Sequence, residues 1–259
     1  MKFSVDANIF RKAIDLVTSI KGGPVRLDLH DGLLEITGMT PWCNVIRTIE
    51  TGVDGDVSFT MNTLKVKSWL RGVAPGNLVI EVTEDGAGGH MLKMTQLPHS
   101  YVFRTMDERY LTKMVLPEED HVYDIPAVLL LEGLKETAHA IKAGRSPLGD
   151  PAVYEAQHVQ FYSDEKLRIC AIDPSRGIAI RGALDEHYDN GADILIPVIL
   201  TGPIRAFDPE DTVHVVIGKD RFMLSTKDIT IISTKHSVKF KLPAFLFYKP
   251  ECPPVYVER

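Results

Sequence analysis

Antiparallel α+β architecture in two repeated halves is the fold this sequence predicts. Apolar and polar residues alternate with a period of two through most of the chain, the same order of elements occurs twice, and four segments carry helical periodicity. In the first half, alternation places strands near Met1–Val5, Val25–Leu29, Leu33–Gly38, Asn44–Glu50, Val57–Met61, Leu78–Val82, Met91–Thr95 and Tyr101–Thr105. Turn residues such as Asp31-Gly32, Asp54-Gly55 and the run 86–89 separate them.

The repeat is read from three alignments. Phe3–Ala7 with the following Ile9–Ile14 matches Tyr123–Ala127 with Leu129–Leu134, each a short strand entering a helix. His30–Pro41 matches Ser163–Pro174, and Leu70–Pro75 matches Ile204–Pro209, each of the latter followed by an alternating apolar strand. The extra residues of the second half fall in one loop, 143–156. Each half is two β-α-β-β-β units, giving domains at 1–121 and 122–259. Met106–Val122, charged and carrying Pro117 and Glu118–Asp120, reads as an extended connector that does not pack. Leu78–Val82 and Thr212–Ile217 are taken as edge strands able to pair between subunits.

In the first helix Ile9, Ala13, Val17 and Ile20 are expected to face a sheet, with Arg11, Asp15 and Thr18 pointing away. In the second, Val66, Trp69, Leu70 and Val73 form the apolar stripe opposite Lys67, Ser68 and Arg71. The third, Ala127–Lys142, buries Leu130, Leu134, Ala138 and Ile141 and exposes Lys135, His139 and Lys142. Gly202-Pro203 interrupts the fourth, Val198–Phe207, which is expected to be short or kinked because a mid-helix proline costs about 3 kcal/mol.

At 259 residues the chain suits two domains, and 44% hydrophobic with 25% charged residues places it among globular proteins. Its longest apolar run, Ala127–Leu131, is too short for a membrane helix, and the N-terminus lacks a signal-peptide pattern, so a cytoplasmic protein with no membrane partner is expected. Cys43, Cys170 and Cys252 form no CxxC pair, which argues against disulfides and a zinc ribbon. A net charge of -6 argues against nucleic-acid binding, but the charge is segregated. The helix-bearing segments 8–26, 62–71, 126–145 and 197–207 hold 11 Lys and Arg against 3 Asp and Glu. Helices sharing a layer would then present a basic face to phosphate, although exposed helices also carry charge for solubility alone.

This duplicated pattern resembles the DNA sliding clamps, in particular the bacterial DNA polymerase III beta subunits. The residues that carry the resemblance are Met1–Val5, Leu167–Ala179 (similar to the family's ATDGHRLA strand-turn-strand) and Lys241–Pro250 (similar to its FPDYRRVLP segment). The bacterial subunit has three such domains and this chain stops after two, as in proliferating cell nuclear antigen and some phage clamps. The resemblance implies a clamp fold with sheets outside and helices lining a channel. It also implies a homotrimeric ring of six domains on double-stranded DNA, bound without sequence preference, and partners in a DNA polymerase and a clamp loader of a bacterial or phage-infected cell.

Under that resemblance the expected DNA contacts are Arg11, Lys12, Lys21, Arg26, Lys67, Arg71, Lys135, Lys142, Arg145 and Arg205. The implied peptide pocket comprises Ile172, Pro174, Ser175, Arg176 and Gly177 with Pro243, Phe247 and Tyr248. Pro174-Ser175 replaces the family's Gly-His pair, and Pro253–Val257 stands where a pocket wall is missing.

No enzyme chemistry, metal or cofactor is expected. The nine histidines form no HxxxH or HExxH arrangement, Ser175 lacks a GxSxG elbow, and the 86–89 run lacks the Lys-Ser/Thr and helix of a phosphate loop. The alternative to a DNA-encircling processivity factor is a clamp-fold interaction module that binds partners, or blocks a host clamp, without enclosing DNA.

Overall fold

The computed structural model describes residues 1–20, 23–85, 89–105, 113–141, 156–161, 167–173, 177–181 and 192–235; for Ala156, Ile172, Asp173 and Gly177–Ala179 it describes the backbone alone. The first half runs β1 (Lys2–Asp6), α1 (Ala7–Val17), β2 (Pro24–His30), β3 (Leu33–Met39), β4 (Cys43–Glu50), β5 (Val57–Asn62), α2 (Thr63–Arg71), β6 (Asn77–Glu84), β7 (His90–Gln96) and β8 (His99–Arg104). The second runs β9 (His121–Pro126), α3 (Ala127–Thr137), β10 (Ala156–Phe161), β11 (Leu167–Asp173), β12 (Gly177–Arg181), β13 (Ala192–Pro197), α4 (Val198–Ile204), β14 (Thr212–Ile217), β15 (Arg221–Ser225) and β16 (Ile229–Thr234). Every first-half strand expected from alternation is present within two residues at each end.

All paired strands are antiparallel and lie in three sheets, ordered β1-β6-β7-β8, β12-β11-β10-β13 and β5-β2-β3-β4-β16-β15-β14-β9. The last is two four-stranded sheets fused where β4 pairs with β16, with Val45 opposite Ile231 and Asn44 opposite Ile232. Strand order in the first half, β1-β6-β7-β8 and β5-β2-β3-β4, is reproduced in the second as β9-β14-β15-β16 and β13-β10-β11-β12. Leu78–Val82 and Thr212–Ile217 are therefore interior, not edges: β6 lies between β1 and β7, and β14 between β15 and β9.

One apolar core joins both halves, drawing on Phe10, Ile14, Leu27 and Ile36 in the first and Leu130, Ile169, Ile196 and Phe222 in the second. Of the stripe expected for α1, Ala13, Val17 and Ile20 are buried, and Ile9 alone is not. The Asp6 carboxylate caps the helix, accepting from the Asn8 and Ile9 N–H groups, both at 2.9 Å, and Ala7, Phe10 and Ile14 are buried with the stripe. Ile9 is left 46% exposed, while Thr18 is buried and donates to the Ile14 carbonyl at 2.6 Å. α2 buries Val66, Leu70 and, just beyond it, Val73; Trp69 is partly covered by stacking on Tyr101, with ring centroids 5.9 Å apart. α3 ends at Thr137 and passes into a 3-10 turn, so Ile141 is buried from outside the helix. α4 has seven residues and contains Pro203, the short helix that Gly202-Pro203 predicts.

Close approach of helix to sheet fixes two glycines. A Cβ on Gly38 of β3 would stand 1.9 Å from the Val17 carbonyl oxygen, and one on Gly133 of α3 would stand 2.4 Å from Ile169 Cδ1.

The connector does pack, contrary to expectation. Lys113 Nζ lies 2.8 Å from Asp28 Oδ2 and 2.7 Å from Glu35 Oε2, on β2 and β3. The Met114 N–H donates to the Asn44 amide oxygen at 2.7 Å, and Arg221 of β15 donates to the Val115 carbonyl at 3.1 Å. The Gly218 Cα leaves room for the Glu118 carbonyl, which would be 2.6 Å from a Cβ there. Residues 113–118 thus strap across the fused sheet from one half to the other. Among the described residues no helix is long and apolar enough to cross a membrane.

Candidate nucleic-acid and partner surfaces

The helix layer is tied together by polar contacts as well as by its core face. α1 packs against α2 and approaches α4, and Lys67 of α2 spans the first pair: its Nζ is 2.9 Å from Asp15 Oδ1 and donates to Thr18 Oγ1 at 2.8 Å. Lys67 is therefore engaged within the layer. Arg11 is partly buried and donates to Asn8 Oδ1 at 2.8 Å. Lys12 on α1, Arg71 at the end of α2, Lys135 on α3 and Arg205 capping α4 are exposed. Lys65, exposed on α2, joins them; it follows Leu64 on the helix's solvent side and was recoverable from the helical period.

Two expected contributors to a basic layer behave differently. Arg26, counted with the helix-bearing segment 8–26, is on β2, the strand expected over Val25–Leu29. Val25, Leu27 and Leu29 of that strand point into the core, so alternation turns Arg26 to the opposite face of the sheet. There it bonds Asp28 at 2.8 Å and Ser58 at 3.3 Å. On α3, Lys135 lies between Glu132 and Glu136, both facing Arg181 of β12, at 3.9 and 3.2 Å. Lys21, Lys142 and Arg145 lie outside the described residues.

Of the peptide pocket, Ile172 in β11 and Gly177 in β12 are described as backbone; Pro174, Ser175, Arg176, Pro243, Phe247 and Tyr248 lie outside the described residues. Its counterpart in the first half is described. The turn 40–43, which the repeat aligns with 173–176, exposes Trp42 by 47%. Its carbonyl accepts from the Thr234 N–H at 2.9 Å, at the end of β16. Arg221, paired with Thr234 in the sheet, holds Val115, and Val115 and Leu116 are 70% and 62% exposed. Trp42 beside β16, and Val115 and Leu116 on the connector held by β15, are thus exposed apolar side chains at the fused sheet. Sequence periodicity gave no sign of this placement, because it depends on the connector folding back.

A Cys-His-Asp alignment occurs on the second half's sheet. Cys170 Sγ is 3.7 Å from His158 Nδ1, and His158 Nε2 is 2.9 Å from Asp193 Oδ2. Burial pushes the Cys170 thiol up to about 12, against the pull of Arg168, so it stays protonated and is no nucleophile at neutral pH. The hydrogen bond with His158 holds Asp193 below its ordinary range despite partial burial.

No protein-family model matches the chain, and no curated protein matches it. Solved structures do. The DNA polymerase III subunit beta of Pseudomonas aeruginosa aligns over 97% of this chain and 69% of its own, with TM-score 0.79 and 15% identity. The beta subunit from DNA polymerase of Streptococcus pyogenes aligns over 96% and 68%, with TM-score 0.78 and 13% identity. A Helicobacter pylori beta clamp bound to a DNA ligase peptide aligns over 97% and 70%, with TM-score 0.75 and 14% identity. The two-fold repeat of β-α-β-β-β units, the fused sheet and these alignments together give the chain the α+β DNA-clamp fold, that of the bacterial beta sliding clamps.

Proposed function

We propose that this protein is a DNA sliding clamp, a non-enzymatic processivity factor that closes into a ring around duplex DNA. The observation that carries the reading is the β4–β16 seam. Each chain makes that seam once, and leaves at the ends of its other two sheets the equivalent strands, β12 (matching β4) and β8 (matching β16). Pairing β12 of one copy with β8 of the next repeats the internal junction head to tail. Such heterologous contacts generate closed rings when the rotation closes.

Transferring the β4–β16 register to the new seam sets Ala179 opposite Tyr101, Ile178 opposite Val102 and Gly177 opposite Phe103, two aromatic residues against small ones and one aliphatic pair between them. Val102 is 51% exposed on this free edge, a strand left unprotected against pairing. Clamp rings of the kind this chain resembles close from six such halves, so three chains complete one.

Inside the ring, Lys12, Lys65, Arg71, Lys135 and Arg205, with Arg11 and the expected Lys21, Lys142 and Arg145, supply weak attraction to phosphate without base reading. Polymerase and loader peptides dock in the pocket of residues 172–177 and 243–248, and at its first-half counterpart around Trp42. The balance of charge on α3 and the internal use of Lys67 favour a second reading, an interaction module that does not enclose DNA.

Sedimentation velocity separates the two: the ring requires a mass near three chains of 28.9 kDa. Loader-dependent retention on circular but not linear DNA then tests enclosure. A monomer at micromolar concentration that binds partner peptides would overturn the ring and leave the module.

A further inference from the structure

The seam within the chain carries a cross-seam ion pair that the seam between copies lacks. Arg47 of β4 is salt-bridged to Asp228 in the turn before β16, and the Thr48 N–H donates to the Asp228 carbonyl at 2.9 Å. The repeat puts Arg181 of β12 where Arg47 stands, and Pro98 and His99 where Asp228 and Ile229 stand. Pro98 offers no carboxylate, and His99 falls opposite Arg181.

Arg181 is instead drawn back onto its own chain. Its Nε is 3.2 Å from Glu136 and its Nη2 3.9 Å from Glu132. The matching positions on α1 are Leu16 and Lys12, neither of which competes for Arg47. The same arginine position is thus a clasp in one seam and is turned away from the other.

We infer that Glu136 and Pro98 set how tightly one copy holds the next: Glu136 withdraws Arg181 from the seam and Pro98 leaves it no acid to meet, so the contact between copies is weaker than the internal seam it copies and reversible. This rests on the ring reading, and the partner is a second copy of this chain.

The test transplants the internal clasp. Full-length Pro98→Asp/Glu136→Leu protein should assemble at about fivefold lower concentration than wild type in sedimentation velocity, the scale of a partly exposed ion pair. Adding Arg181→Gln should cancel the gain, and Pro98→Asn/Glu136→Leu should not show it. His99→Glu/Glu136→Leu places the carboxylate on the strand instead of in the turn, and should tighten assembly too if the turn variant fails to fold. Wild-type trimers with unchanged assembly in the folded variants, or a gain that survives Arg181→Gln, overturn the inference while the ring stands. A wild type that stays monomeric overturns the ring reading itself, and the inference with it.

Discussion

Lys67 of α2 bridges to α1, 2.9 Å from Asp15 and donating to the buried Thr18 hydroxyl at 2.8 Å, so this helix cation is committed to packing. Lys67→Met should lower unfolding free energy by about 1 kcal/mol, since a half-exposed pair contributes up to that and Thr18 loses a donor. It should leave the salt dependence of duplex binding nearly unchanged. Lys12→Gln and Arg71→Gln should do the reverse, each reducing the log–log salt slope by up to about 0.9 with little change in stability. Urea titration and fluorescence anisotropy on a duplex at several salt concentrations read the two effects separately.

Gly38 is where the end of α1 touches β3. An added Cβ would lie 1.9 Å from the Val17 carbonyl oxygen, and backbone cannot rotate away as a side chain can. Gly38→Ala should cost about 2 to 3 kcal/mol, the range of overpacked cores, and should lower the calorimetric Tm by several degrees. Gly52→Ala serves as contrast: φ is +64° but nothing lies within 4 Å, so only the roughly 1 kcal/mol left-handed penalty applies. Equal Tm for Gly38→Ala and wild type would contradict this packing.

The strap gives the fold a defined pH dependence. Burial opposes the charge on Asp28, but hydrogen bonds from Lys113, Ser58 and Arg26 outweigh it and hold the carboxyl below its ordinary value of 3.8. Burial likewise opposes the charge on Lys113, and Asp28 with Glu35 hold its ammonium above the ordinary 10.5. A depressed carboxyl contributes stability above its unfolded pKa and loses it as pH falls through the folded one. A raised ammonium contributes below its unfolded pKa and loses it as pH rises through the folded one. The pair therefore stabilises across neutral pH, with losses at the acid and alkaline extremes. Lys113→Met removes the largest contact favouring ionised Asp28, so acid unfolding should begin at higher pH than in wild type, as followed by circular dichroism on acid titration.

What alternation and repetition could reveal, they revealed: strands of period two, the doubled order of elements and the shortness of α4 are local properties, and Gly202-Pro203 acts within its own turn. The misreadings have tertiary causes. Ile9 and Phe10 are adjacent and both apolar, and packing buries Phe10 while Ile9 stays 46% exposed. Arg26 is counted with the helix-bearing segment 8–26 although it lies in the strand expected over Val25–Leu29, and alternation along that strand turns it to the sheet's other face. Leu78–Val82 is interior because β1 and β7 flank it, an ordering that periodicity does not carry. The strap over 113–118 needed Asp28, Glu35, Asn44 and Arg221, from four strands, to meet one polar segment.

The exposed Trp42 allows partner binding to be watched directly. The chain has 2 tryptophans, and Trp69 is partly covered by Tyr101, so Trp69→Phe leaves Trp42 as the single emitter. A peptide with Leu and Phe anchors docking on Trp42 would remove water from the indole and shift its emission to the blue. Trp42→Ala should then weaken that peptide by about tenfold, the cost of losing one aromatic anchor. Binding of the same peptide with unmoved emission would place it instead at residues 172–177 and 243–248. Tyr248→Ala with Ile172→Asp should in that case abolish binding, while Trp42→Ala leaves it intact. Two binding events per chain, one sensitive to each set of substitutions, would show that the turn is used in both halves.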